Sequence, residues 1–174
     1  MIMRAAKIKA SIHKTIDAYK SKLSAYADDI FQQEPPIAGW SYSEVYSHIF
    51  DSSLLSLMAL AHAAKGKGED KPTAFAVKLI LLLGALPPAR QYKVPQRLAD
   101  RVKKISKTEA LDFILEFEEA LTDNYPLVGL ATATCKTKHP RLGYLNAKQW
   151  LRFIEIHLKH HLKQLERIEK SFQA

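Results

Sequence analysis

Apolar residues recur at helical spacing along almost the whole chain, and no segment alternates with the period of two that a half-buried strand requires. Ala5, Ile8, Ile12, Ile16, Tyr19, Leu23 and Ile30 form one stripe, which predicts a helix from about Arg4 to Phe31, ending before Gln32-Gln33-Glu34-Pro35-Pro36. A second helix is predicted from about Tyr42 to Lys65. Ser41 followed by Glu44 is a capping-box pattern, Trp40 can serve as the hydrophobic staple, and Gly66 and Gly68 stop the helix. Its inward stripe reads Val45, His48, Ser52, Leu55 and Ala59. Between Glu69 and Ser106, Pro72, Pro87, Pro88 and Pro95 divide the chain into short helical pieces. Ser106 or Thr108 can cap a third helix, whose period runs through Leu111, Ile114, Leu115, Glu118 and Leu121 and which ends near Tyr125-Pro126. A second long connection carries Cys135, His139-Pro140 and Gly143. Asn146 then caps a fourth helix with the stripe Trp150, Ile154, His157, His161, Leu165 and Ile168. The fold class expected is all-α: a four-helix bundle with long crossover connections, in a single domain spanning residues 1–174.

Composition narrows the class without naming a function. The 174 residues are 47% hydrophobic and 25% charged, as in an ordinary globular protein large enough to bury a real core. A single cysteine, Cys135, excludes an internal disulfide and fits a reducing compartment. The longest apolar stretch, Ala74 to Leu86, carries Lys78 and falls short of the roughly 18 residues a membrane span needs; it reads as a buried or surface-packed helix. The first residues are basic and lack acids, as in a transit peptide, but their stripe continues far beyond any leader. An unprocessed cytoplasmic protein is the expectation. The net charge of +8 is spread along the chain with no nucleic-acid motif beside it, so a solvated basic surface is expected, one that would also suit an acidic substrate or a thiol cofactor.

The chemistry concentrates in histidines. His157 and His161 are four residues apart, so both face the same way on the fourth helix, within an apolar stripe about 80° wide. An unsatisfied buried polar group costs about 1–3 kcal/mol, and one metal ion would satisfy both rings. His48 sits on the inward stripe of the second helix, near its start, and can supply a third ligand. Three imidazoles with an open position is the pattern of a catalytic metal site rather than a closed structural one. The remaining histidines read differently. His62 shares the stripe of His48 but lies roughly 21 Å further along the helix. His160 falls on the flank of the fourth helix, His13 on the surface, and His139 in a loop fixed by Pro140.

Several neighbours have two available roles. Glu44 either orients His48 from one turn before it or closes the capping box with Ser41. Gln164 either bonds a ligand from one turn beyond His161 or packs at the bundle end, and Asp51 either holds a metal-bound water or stays solvated. Trp40 and Trp150 read as staple or core residues, and Cys135 lacks an activating neighbour.

Taken together, Gly39-Trp40-Ser41-Tyr42-Ser43-Glu44-Val45 leading into His48, His139-Pro140-Arg141-Leu142-Gly143-Tyr144-Leu145 before Trp150, and His157 and His161 followed by Gln164-Leu165 resemble the DinB-like (DinB/YfiT) superfamily of metal-binding four-helix bundles. The resemblance spans nearly the whole chain. It implies a divalent ion, zinc or nickel, held by His48, His157 and His161, and kinship with transferases that use low-molecular-weight thiols. A free thiol titrates near pH 8.5, and coordination to an ion held by three neutral imidazoles makes its proton easier to lose. The expected partners are a small-molecule substrate, a small thiol as cosubstrate and a second copy in a homodimer, with neither nucleic acid nor membrane. A metal-dependent hydrolase or isomerase, and a non-catalytic metal- or ligand-binding module, remain as alternatives.

Overall fold

Three of the four long helices begin where a side chain satisfies their first free N–H groups. The computed structural model describes residues 2–87 and 101–173, and in it α1 (Ile2–Ala25), α2 (Asp28–Phe31), α3 (Tyr42–Ala64), α4 (Phe75–Leu83), α5 (Lys107–Asn124), α6 (Leu127–Leu130) and α7 (Ala147–Gln173) follow in chain order. Ser41 Oγ accepts the N–H of Glu44 at 3.3 Å, and the Glu44 carboxylate accepts the Ser41 N–H at 2.9 Å, closing the box that starts α3. Ser106 and Glu109 repeat the arrangement for α5. Asn146 and Gln149 do the same for α7: Asn146 Oδ1 accepts the Gln149 N–H, and Gln149 Oε1 accepts the Asn146 N–H.

The fold is an all-α four-helix bundle of α1, α3, α5 and α7, joined by long crossovers. Helix α7 packs on α1 and α3, and α3 packs on α5. One continuous apolar core joins them, with Ile12, Ile16, Tyr19, Val45, Tyr46, Phe50, Ile114, Phe117 and Leu158 sealed from solvent. Full burial of a large apolar side chain stabilises by about 1.5–3 kcal/mol. Two tyrosine hydroxyls find carbonyls inside this core. Tyr19 Oη donates to the Leu158 carbonyl of α7 at 2.8 Å, and Tyr46 Oη donates to the Tyr19 carbonyl at 2.7 Å, which pins α1 between its neighbours.

The structure corrects several expectations. The first helix breaks at Tyr26 and Ala27, because Tyr26 turns inward to stack on Tyr42 at 4.0 Å. On α5, Leu111 and Leu115 are exposed, while Ala110, Ile114, Phe117 and Leu121 face the core; Glu118 instead pairs with Lys20 of α1. On α3 the buried face runs through Tyr42, Tyr46, Ile49, Phe50, Ser53 and Leu57, so the stripe read through His48 lies at its edge, Leu55 is 38% exposed and His62 faces out. Helix α4 is surface-packed: Val77 and Leu81 reach the core, and Phe75, Leu82 and Leu83 do not. Pro88 and Pro95 lie outside the described residues. Among those described, no helix is long and apolar enough to cross a membrane.

A short antiparallel hairpin had no counterpart in the helical pattern. Strands β1 (Thr137–His139) and β2 (Gly143–Leu145) pair Thr137 with Leu145 and His139 with Gly143. Gly143 takes a φ of 73°, the left-handed conformation that favours glycine at this turn. Thr137 fastens the hairpin to the bundle. Its hydroxyl donates to the Ala59 carbonyl of α3 at 2.9 Å and accepts the Trp150 indole N–H of α7 at 2.8 Å.

Candidate metal centre

The edge of α3 that carries His48 meets the face of α7 that carries His157 and His161. One ligand-capable nitrogen from each of the three rings lies within 4.8 Å of the other two. The Nε2 atoms of His157 and His161 stand 3.1 Å apart. The His48 ring centroid is 5.4 Å from that of His157 and 4.9 Å from that of His161. At zinc–nitrogen bonds of about 2.0–2.1 Å, two ligands of a tetrahedral ion stand about 3.3 Å apart, so the His157–His161 separation fits an ion directly.

On the two α7 rings, polar groups face the nitrogens that point away from the cluster. Gln164 Oε1 lies 2.8 Å from His161 Nδ1; as an acceptor it places the His161 proton on Nδ1 and leaves Nε2 with a lone pair. Ser52 donates its only hydroxyl proton to the Ile49 carbonyl at 3.1 Å. Its oxygen stands 3.5 Å from His157 Nδ1, and as an acceptor there it would leave the His157 Nε2 lone pair free as well. The two Nε2 lone pairs then converge on one another. A cation placed between them would satisfy both lone pairs at once.

The electrostatics keep all three rings neutral, as metal ligands must be. Burial, opposed in part by Asp51, lowers the pKa of His48 to about 4. Burial first, then the neighbouring imidazoles, holds His157 and His161 well below the ordinary histidine value. Neither nearby acid on α3 is available to the centre. Glu44 is committed to the helix cap, and Asp51 is bound in a fork by Arg101, whose Nε donates to it at 2.7 Å. The Arg101–Asp51 pair carries no net charge, and Lys163 and Arg167 act as cations on His160 at the edge of the centre.

Aromatic rings wall the centre. The Trp40 ring lies 4.9 Å from His48 and runs nearly parallel to His161 at 6.3 Å, so it flanks the histidines rather than serving only as a staple. Phe153 lies nearly parallel to His157, 5.1 Å away. His160 touches the outer edge of His161 at 5.2 Å and stays outside the triad. His139 also stays outside and packs on Phe153 and Trp150. Cys135 is half-buried against Gly68, where an added Cβ would stand 2.9 Å from its sulfur, and is not part of the cluster. Sequence reasoning missed the roles of Trp40, Phe153 and Arg101. For Phe153 the signal was present, since it precedes His157 by one helical turn.

Comparison with known proteins bears on the fold. No family model and no curated protein matches the chain. Among solved structures it is similar to TT2238, described as a four-helix bundle protein, with a TM-score of 0.60 and 16% identity over 94% of this chain and 98% of that one. At that identity the likeness defines the class, a four-helix bundle.

Proposed function

We propose that the chain is a divalent-metal-binding protein of the DinB-like kind, holding zinc or nickel through His48, His157 and His161, and that it adds a small thiol to an electrophilic substrate. The observation that carries the metal reading is the approach of the His157 and His161 Nε2 atoms to 3.1 Å, with one ligand-capable nitrogen from each of the three histidines within 4.8 Å of the others. An ion held by His48, His157 and His161 would supply Lewis acidity, lowering the pKa of a coordinated thiol toward neutral pH. The chain's own residues do the rest. Gln164 orients the His161 imidazole, Ser52 stands beside His157 Nδ1, and Trp40 and Phe153 cover ring faces against water. Lys163 and Arg167, beside His160, favour a thiol that also carries a negative charge. In the transfer a sulfur–carbon bond forms on the electrophile, its leaving group departs, and the thiol proton passes to solvent. No protein cysteine takes part, which agrees with the position of Cys135 outside the cluster.

Cobalt substitution tests the reading. Adding an anionic thiol such as glutathione should shift the cobalt absorption bands and start consumption of an electrophile such as monochlorobimane. Cys135→Ser should leave both unchanged. A cobalt spectrum indifferent to every biological thiol would end the transferase reading and leave metal-activated water as its replacement.

A further inference from the structure

We propose that His139 is a positioning residue of the metal centre, acting on His157 through the ring of Phe153; the inference rests on the metal reading above. His139 is anchored by its own turn. Its Nδ1 accepts the backbone N–H groups of Arg141 at 3.1 Å and Leu142 at 3.0 Å, so its proton resides on Nε2 and the ring cannot rotate freely. The fixed ring meets Phe153 edge to face at 4.6 Å and lies 5.3 Å from Trp150. Phe153 in turn lies 20° from parallel with His157. The hairpin that carries His139 is tied to α3 and α7 by the Thr137 hydroxyl, so the whole string is referenced to the two helices that bear the histidines.

The turn alone does not call for an aromatic residue. Asn or Asp accepts the N–H two residues on in the same way, and does so with a smaller side chain. What only a ring supplies is the contact with Phe153. That ring covers one face of His157, and Ser52 stands at its Nδ1, so loosening Phe153 would leave the ligand held at one point.

Two substitutions separate these roles. His139→Asn keeps the acceptor for the turn and removes the ring; His139→Phe keeps the ring and removes the acceptor. The readouts are the cobalt(II) dissociation constant and the cobalt absorption bands, with far-ultraviolet circular dichroism verifying the fold. His139→Asn and Phe153→Leu should each weaken cobalt binding about tenfold and shift the bands, while His139→Phe stays near the wild type. The reverse order, with His139→Asn binding normally and His139→Phe weakened, would reduce His139 to a turn residue and overturn the inference. Loss of all binding in both His139 variants would make it a ligand and overturn it too. A wild type that binds no cobalt overturns the metal reading itself, an outcome distinct from a binding wild type that His139→Asn leaves unaffected.

Discussion

At the scale of single residues, the histidines are tuned by burial and fixed by their hydrogen bonds. Burial, reinforced by Arg141, lowers the pKa of His139 to about 4, whereas in the unfolded chain it returns near 6.5. Between those values the unfolded state binds the extra proton, so folding stability is present above pH 6.5 and drains away as the pH falls toward 4. His139→Phe removes this contribution. Between pH 6.5 and 5.0 the metal-free wild type should lose more stability than the variant, by on the order of 1 kcal/mol, in urea titrations. Equal losses would show that His139 titrates normally in the fold. Gln164 acts at the same scale. Gln164→Leu leaves His161 Nδ1 without its acceptor and should weaken metal binding about tenfold while leaving the helix intact, as isothermal titration would report. Helical spacing singled out His48, His157 and His161 in the sequence, and the packing of α3 on α7, which spacing alone does not specify, brings them together. The aromatic walls were not legible there, since Trp40 and Phe153 are as useful to a core as to a metal centre.

Among the elements, helix starts were more legible than helix faces. Ser41 and Glu44 announce α3 through local chemistry, and the structure closes both of their hydrogen bonds. On α5 the sequence offers two apolar stripes, one through Leu111 and Leu115 and one through Ala110 and Phe117. Only the packing of α3 and α1 decides between them. The hairpin at Thr137–Leu145 escaped because strands of three residues are too short for a period to register. The α3 cap has a consequence for the site, since His48 lies two turns beyond it. Ser41→Ala should cost about 1 kcal/mol in chemical denaturation, as should Ser106→Ala at the start of α5. Only the first should also weaken metal binding, because α5 carries no ligand. Equal effects of the two on binding would mean that the centre responds to global stability alone.

For the whole molecule, an ion at the triad would join α3 to α7, two helices that already pack on one another. A ligand that binds only the native state raises stability by about 2.7 kcal/mol when present at a hundredfold excess over its dissociation constant. Stripping with a chelator should therefore lower the melting temperature by several degrees, and zinc should restore it. His48→Ala should be insensitive to both. Metal content measures directly whether the three histidines form one metal site. Protein prepared without affinity resin or added metal, and read by mass spectrometry of its elements, should carry close to one divalent ion per chain, with His157→Ala carrying almost none. A wild type free of metal that also fails to take up zinc, nickel or cobalt, or a His157→Ala variant that keeps a full complement, would contradict the account.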